Sequence, residues 1–261
     1  METHVIEVRD LEFGYPVGGF ALRVPELRVE RGESVALVGP SGCGKTTLIH
    51  LLAGINEAAS GSIEVAGLDL AALPAEDRQD LRVLRVGLVF QEFELLEYLD
   101  VLGNVLLPYR LTSLLELDPE TSNRARELLS DLGLGDKLDR YPDQLSQGER
   151  QRVALCRALV TQPSVVLGDE PTGNLDPVNR DHVIDALLDY GRTTGAPVIV
   201  VTHEHELLPR FDRTIDVTAL ISPQEQPKES NGPQTRPPGG ERGLSCPQMT
   251  QIDADYGEEN E

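Results

Sequence analysis

Short apolar runs alternate with stretches of helical periodicity along most of this chain. Ser34–Val38 is an apolar run that breaks into a glycine-rich turn, and residues 46–53 after the turn read as a helix. Residues 86–90, 165–167 and Val198–Val201 are further apolar runs. Their β-branched residues suit strands buried on both faces of a parallel sheet. Residues 5–8 and 62–65 read as edge or antiparallel strands. Residues 92–160 are mostly helical in pattern, with breaks at Pro108, Pro119, Gly133 and Pro142. The pattern predicts an α/β domain over residues 1–221, with an antiparallel β part and a helical insertion at about 92–160. No internal repeat is visible.

Residues 222–261 break this pattern. They hold Pro223, Pro227, Pro233, Pro237, Pro238 and Pro247 with Gly232, Gly239, Gly240 and Gly243, and few apolar residues. Their composition predicts a disordered acidic tail.

The formal charge of −21 argues against broad nucleic-acid binding and against docking on anionic lipid by charge alone. No stretch approaches the roughly 20 continuous apolar residues that span a bilayer. The N-terminus, Met1-Glu2-Thr3-His4-Val5, lacks the basic and apolar regions of a signal peptide. A cytoplasmic location is expected, with any membrane role coming through a partner. Cys43, Cys156 and Cys246 lack metal-ligand spacing and read as reduced thiols.

Gly39-Pro40-Ser41-Gly42-Cys43-Gly44-Lys45-Thr46 fits the phosphate-binding pattern G-x-x-x-x-G-K-[ST]. It lies between a strand and a helix, the context that pattern requires. The glycines let backbone N–H groups turn toward phosphate oxygens, and the helix N-terminus adds positive potential. Lys45 is placed to neutralise the β- and γ-phosphates, and Thr46 to ligate Mg²⁺. Thr47 joins the nucleotide contacts. Cys43 is a candidate redox-sensitive thiol, or a small residue that merely fits the loop.

Val165-Val166-Leu167-Gly168-Asp169-Glu170 is an apolar strand ending in two acids. Beside a phosphate loop, Asp169 is placed near Mg²⁺ through a bound water, and Glu170 can polarise the attacking water.

A phosphate loop alone admits GTPases, kinases and helicases. Leu145-Ser146-Gln147-Gly148-Glu149-Arg150-Gln151-Arg152, expected to lie just before a helix over residues 153–160, narrows the class. Here the sequence resembles the ABC ATPases, whose signature is L-S-G-G-Q followed by a helix. Gln91 matches the Q-loop, Asn174-Leu175-Asp176 the D-loop, and His203 the switch histidine, all in family order. Tyr15 stands at the adenine-stacking position, with Phe13 and Phe20 as alternatives. The resemblance covers about residues 4–221. Gln147 and Glu149 depart from the usual signature.

The resemblance implies a P-loop NTPase fold of the ABC nucleotide-binding type. It implies ATP and Mg²⁺ as ligands, Gln91 sensing the metal and the attacking water, and His203 on the γ-phosphate. It implies a head-to-tail homodimer with two ATP molecules between the subunits, each capped by Ser146 and Gly148 of the opposite one. It implies an integral membrane permease as partner, with a periplasmic adaptor as a further candidate, and a place on the inner face of the cell membrane. Residues 89–96, Asn104-Val105 and 169–176 look like the lipoprotein-release and macrolide-export branch. In that branch residues 92–110 dock the permease, with Phe93, Leu95, Leu96 and Tyr98 as candidate contacts. The rival readings are a soluble ABC ATPase of translation or DNA repair and a non-hydrolysing switch module. The single phosphate loop counts against the first, and the presence of Glu170 and His203 against the second.

Overall fold

The strands fall into two sheets that differ in burial pattern. The computed structural model describes residues 4–17, 20–173 and 175–220; the expected tail, Cys246 and Asn174 lie outside them. In chain order the elements are β1 (His4–Gly14), β2 (Ala21–Glu30), β3 (Ser34–Val38), α1 (Lys45–Leu52), β4 (Ser60–Val65), β5 (Leu68–Asp69), α2 (Ala75–Arg85) and β6 (Val86–Val89). Then come α3 (Val101–Val105), α4 (Pro108–Leu111), α5 (Pro119–Asp131), α6 (Gln147–Leu159), β7 (Val165–Asp169), α7 (Pro177–Thr194), β8 (Val198–Val201), β9 (Arg213–Asp216) and α8 (Val217–Leu220).

One sheet has the order β2-β1-β4-β5, and its strand pairs are antiparallel. Buried and exposed positions alternate along β1 and β2, as expected for a sheet with one face in water. Pro25 sits in β2, an edge strand, where a missing N–H costs no ladder bond. The other sheet has the order β6-β7-β8-β3-β9 and is parallel throughout. Its strands β7 and β8 are buried at every position, because both faces are covered.

Three apolar clusters follow from this division. One joins the inner face of the antiparallel sheet to α1 and one face of the parallel sheet. A second fills the other face of the parallel sheet under α6 and α7. The third lies among α3, α5 and α6. Helix α6 serves two of them. Leu155, Ala158 and Leu159 face the sheet, while Val153 and Cys156 face the helical cluster. Burial pushes the Cys156 thiol well up, so it remains a protonated packing group.

The expected start of this helix at residue 153 is corrected by the structure: α6 begins at Gln147. The Ser146 hydroxyl accepts from Glu149 N, and the Glu149 carboxylate accepts from Ser146 N. This reciprocal cap starts the helix inside the signature. Within residues 92–160 the helices are separated by loops at 92–100, 112–118 and 132–141.

Candidate nucleotide site

Four neighbouring parallel strands, β6, β7, β8 and β3, deliver the sequence motifs from one edge of the sheet. Gln91 follows β6, Asp169 and Glu170 end β7, His203 follows β8, and residues 39–46 follow β3. Ligands of open parallel sheets gather beyond such carboxyl ends. A cleft of about 540 Å³ opens there, lined among others by Tyr15, Gly42, Lys45, Thr46, Gln91, Glu170 and His203.

The phosphate loop turns into α1 at Gly44, whose φ of 102° favours glycine. A Cβ there would also meet the Phe20 ring at 2.9 Å. No side chain caps the first turn of α1, and no acid stands in it. Its N–H groups are therefore open to an anion. Lys45 is buried, and its Nζ donates to the carbonyl oxygens of Gly39 and Pro40, both at 2.9 Å. These two neutral acceptors hold the ammonium beside the cleft. Gly39, Ser41, Gly42, Gly44, Lys45, Thr46 and Thr47 border the cleft, whereas Pro40 and Cys43 do not. The thiol of Cys43 packs back under Gly39, where a Cβ on that glycine would lie 2.9 Å from Sγ.

The Thr46 hydroxyl donates to Asp169 Oδ1 at 3.2 Å, joining the loop to the end of β7. Burial pushes the Asp169 carboxyl above its ordinary value, against the pull of the Thr46 hydroxyl and of His50. Glu170 follows with φ of 48°, its N–H bonded to Val201 O and its carbonyl to Gly173 N. Its carboxylate comes within 3.4 Å of His203 Nδ1. Gln91 reaches the same region, its Nε2 being 3.6 Å from where a Cβ on Gly173 would stand.

Of the three aromatic candidates, Tyr15 and Phe20 line the cleft. Phe13 is buried behind them and packs edge-on against Tyr15, with centroids 4.8 Å apart. The Tyr15 hydroxyl lies 3.3 Å from Thr47 Oγ1, which ties the aromatic wall to α1.

Ser146 and Gly148 do not border this cleft. Ser146 and Gln147 are exposed at the start of α6, and Gln147 adds its bulk to the outside. Gly148 is buried: a Cβ would fall 2.7 Å from Cγ of Asn179 on α7. A side chain at this position would therefore displace the Asn179 amide within the same subunit. The Arg152 guanidinium donates to Asn179 Oδ1, and Asn179 donates in turn to Asp176, the N-cap of α7. Glu149 also pairs with Lys137, whose ammonium, together with the cap on Ser146, draws the Glu149 carboxyl down to about 2.

Thr172, Arg180 and Glu204 carry no signal of their own in the sequence. The carboxylate of Glu204 accepts from Thr172 Oγ1 at 2.7 Å and from Arg180 Nη1 at 2.8 Å. No short motif marks such tertiary pairs; the adjacency of Glu204 to His203 was the available signal.

The permease-facing candidates separate. Tyr98 is exposed, while Leu95 packs against the helical cluster. A neighbouring groove of about 300 Å³ is lined by Ile55, Leu88, Phe90, Leu107 and Leu111, with Arg82 and Arg157 among its polar residues. No helix among the described residues is long and apolar enough to cross a membrane.

Comparison with known proteins agrees with this geometry. The family model described as ABC transporter matches residues 22–173. The ABC transporter ATP-binding protein YbbA of Escherichia coli strain K12 is 44% identical over 215 residues, 81% of this chain and 93% of that protein. The lipoprotein-releasing system ATP-binding protein LolD of Novosphingobium aromaticivorans is 41% identical over 218 residues, 82% of this chain and 96% of that one. Among solved structures, the ATP-binding cassette MJ0796, dimeric and bound to ADP and Pi after hydrolysis, matches with a TM-score of 0.72. Its identity is 28%, over 81% of this chain and 93% of that one.

Proposed function

This chain belongs to the ABC transporter ATP-binding family, and from that premise we propose that it hydrolyses Mg-ATP within a head-to-tail dimer to drive a membrane permease. The observation that carries the reading is the convergence of Lys45, Thr46, Gln91, Glu170 and His203 on one cleft.

The open N–H groups at the start of α1 and the Lys45 ammonium bind the β- and γ-phosphates. On binding, Lys45 exchanges its two carbonyl partners for phosphate oxygens. Tyr15, with Phe20 beside it, forms the apolar wall for adenine. The Thr46 hydroxyl and Asp169 carboxylate are hard oxygen donors set side by side, and burial leaves Asp169 in want of a counter-charge. They fit Mg²⁺, Asp169 acting through a water, with Gln91 close by. When bound, the ion supplies neutralisation of charge on the phosphate oxygens. Glu170 accepts a hydrogen bond from the attacking water and takes its proton. Water adds to the γ-phosphorus as the bond to the bridging oxygen breaks, and ADP leaves with that electron pair. His203 contacts the γ-phosphate and holds Glu170 in place.

Ser146 and Gly148, away from their own subunit's cleft, complete the site of the partner subunit, with the start of α6 facing its γ-phosphate. Such a contact is self-complementary, so two ATP molecules are enclosed by symmetry. Loss of the γ-phosphate releases the contact, and the permease converts the opening into work.

The relatives named for lipoprotein release support export or extraction of lipoprotein, lipid or drug-like cargo as that work. On this reading the chain is cytoplasmic, peripheral on the inner face of the cell membrane, with a periplasmic adaptor as a further partner of the permease. The groove beside Phe90 and Leu111 and the exposed Tyr98 form the docking surface for the permease. Residues 1–221 form the ABC domain, with the helical subdomain at about 92–160 and the acidic tail at 222–261.

Phosphate release from Mg-ATP tests the enzymatic part. Wild-type protein with its permease is expected to turn over and Glu170→Gln to fail; equal rates would refute it. Purification of Glu170→Gln from native membranes in Mg-ATP tests the branch. A permease with a large extracytoplasmic domain is expected, and recovery of a different permease would overturn the branch.

A further inference from the structure

His203 stands on a segment that α7 holds at both ends. After β8 the chain passes through His203 into a short 3-10 turn, His205–Arg210. At its start, Arg180 of α7 pairs with Glu204 at 2.8 Å and with Glu206 at 3.1 Å. At its end, Arg210 pairs back to Asp181 at 3.3 Å and to Asp185, both on α7. Most of these groups are partly exposed, and such ion pairs contribute little. Arg180 and Glu204 are different, with side chains 16% and 19% accessible.

Glu204 is also fully engaged. One carboxylate oxygen accepts from Thr172 Oγ1 and the other from Arg180. Its own N–H donates to Thr202 Oγ1 at 3.1 Å. Thr172 lies two residues beyond Glu170, and Thr202 directly precedes His203. One carboxylate therefore joins the loop that carries Glu170, the loop that carries His203, and the first turns of α7.

We propose that Arg180, acting through Glu204, is a positioning residue that sets His203 against Glu170 and the γ-phosphate. The inference rests on the catalytic reading of Glu170 and His203 given above. Charge-assisted bonds from Arg180 fix the Glu204 carboxylate, and Glu204 fixes the backbone next to His203. Misplacement of a reacting group by a fraction of a side-chain length slows chemistry without loosening substrate.

The test is steady-state ATP hydrolysis by the full chain with its permease, for Arg180→Met, Glu204→Gln, the double variant and Arg180→Lys, with thermal melting for each. Either single variant is expected to lower kcat about tenfold with KM for ATP held within about twofold. The double variant is expected to be no slower than the slower single one, because both act through one bond. Arg180→Lys keeps the charge and is expected to recover part of the rate. An unchanged kcat, a rise in KM matching the loss in kcat, or additive losses would each overturn the proposal. If Arg180→Met fails to fold, Glu204→Gln and Arg180→Lys carry the same kcat-against-KM test. Full activity of His203→Ala would defeat the catalytic reading itself; loss in His203→Ala beside an unaffected Arg180→Met would defeat only this inference.

Discussion

A carboxylate oxygen of Glu170 stands 3.4 Å from Nδ1 of His203, so two loops from neighbouring strands meet at the cleft that the phosphate loop also lines. Glu170 reaches that point from a left-handed backbone, at a φ of 48°. A residue with a Cβ adopts this conformation at a cost of about 1–2 kcal/mol. Bonds from its backbone to Val201 and Gly173 hold it there.

Replacing Glu170 separates chemistry from fold. Glu170→Gln is expected to lower hydrolysis about 100-fold or more while keeping nucleotide affinity, as single-turnover phosphate release would show. Glu170→Gly also loses hydrolysis, but it relieves the left-handed backbone, so its Tm is expected to stay within about 3 °C of wild type. A much larger fall in Tm would make the carboxylate a structural support.

Lys45 answers a different question, that of binding. Its ammonium sits on the carbonyls of half-buried Gly39 and exposed Pro40, which water can satisfy in its place, so Lys45→Ala is expected to fold normally. Its affinity for Mg-ATP, measured by titration calorimetry, is expected to fall about 100-fold or more, as loss of charge-assisted bonds to phosphate requires. Unchanged affinity would remove the phosphate loop from the account.

Gly148→Ala tests the contact between α6 and α7. The new Cβ meets the Asn179 amide at 2.7 Å, an overlap expected to cost about 1–3 kcal/mol in thermal or urea unfolding. Truncating the neighbour in Gly148→Ala/Asn179→Ala is expected to cost less than the sum of the single variants. Strict additivity would show that the clash is absorbed elsewhere.

Glu149 links the signature to pH. Lys137 and the Ser146 N–H hold its folded pKa at about 2, below its ordinary 4.5. Its contribution is therefore complete above pH 4.5 and is lost as the pH falls toward about 2. Glu149→Ala is expected to be less stable than wild type by about 1–2 kcal/mol at pH 7. The gap is expected to close across that acid window, and a gap independent of pH would contradict the assigned cause.

Strands β3 and β8 were legible because burial on both faces makes their sequences continuously apolar. β2 was not, since Pro25 interrupts its alternation and only its edge position tolerates that proline. The true start of α6 could have been read, because Ser146 and Glu149 stand at the spacing of a reciprocal cap. So could α7, with Asp176 as cap, Pro177 at its first position and Gly195 at its end. The phosphate loop, Asp169, Glu170 and His203 were visible as motifs, each tied to a strand end. Glu204 was not, because Thr172 and Arg180 lie 32 and 24 residues away and meet it only through tertiary packing. The close approach of Gly148 to Asn179 was likewise hidden, since Asn179 belongs to another helix.

Closure of a dimer by ATP would double the mass of Glu170→Gln, measured by light scattering in saturating Mg-ATP. One subunit weighs 28.5 kDa, so about 57 kDa is expected with Mg-ATP and about 28.5 kDa without nucleotide. A mass of one subunit under both conditions, in protein shown by calorimetry to be nucleotide-bound, would contradict it.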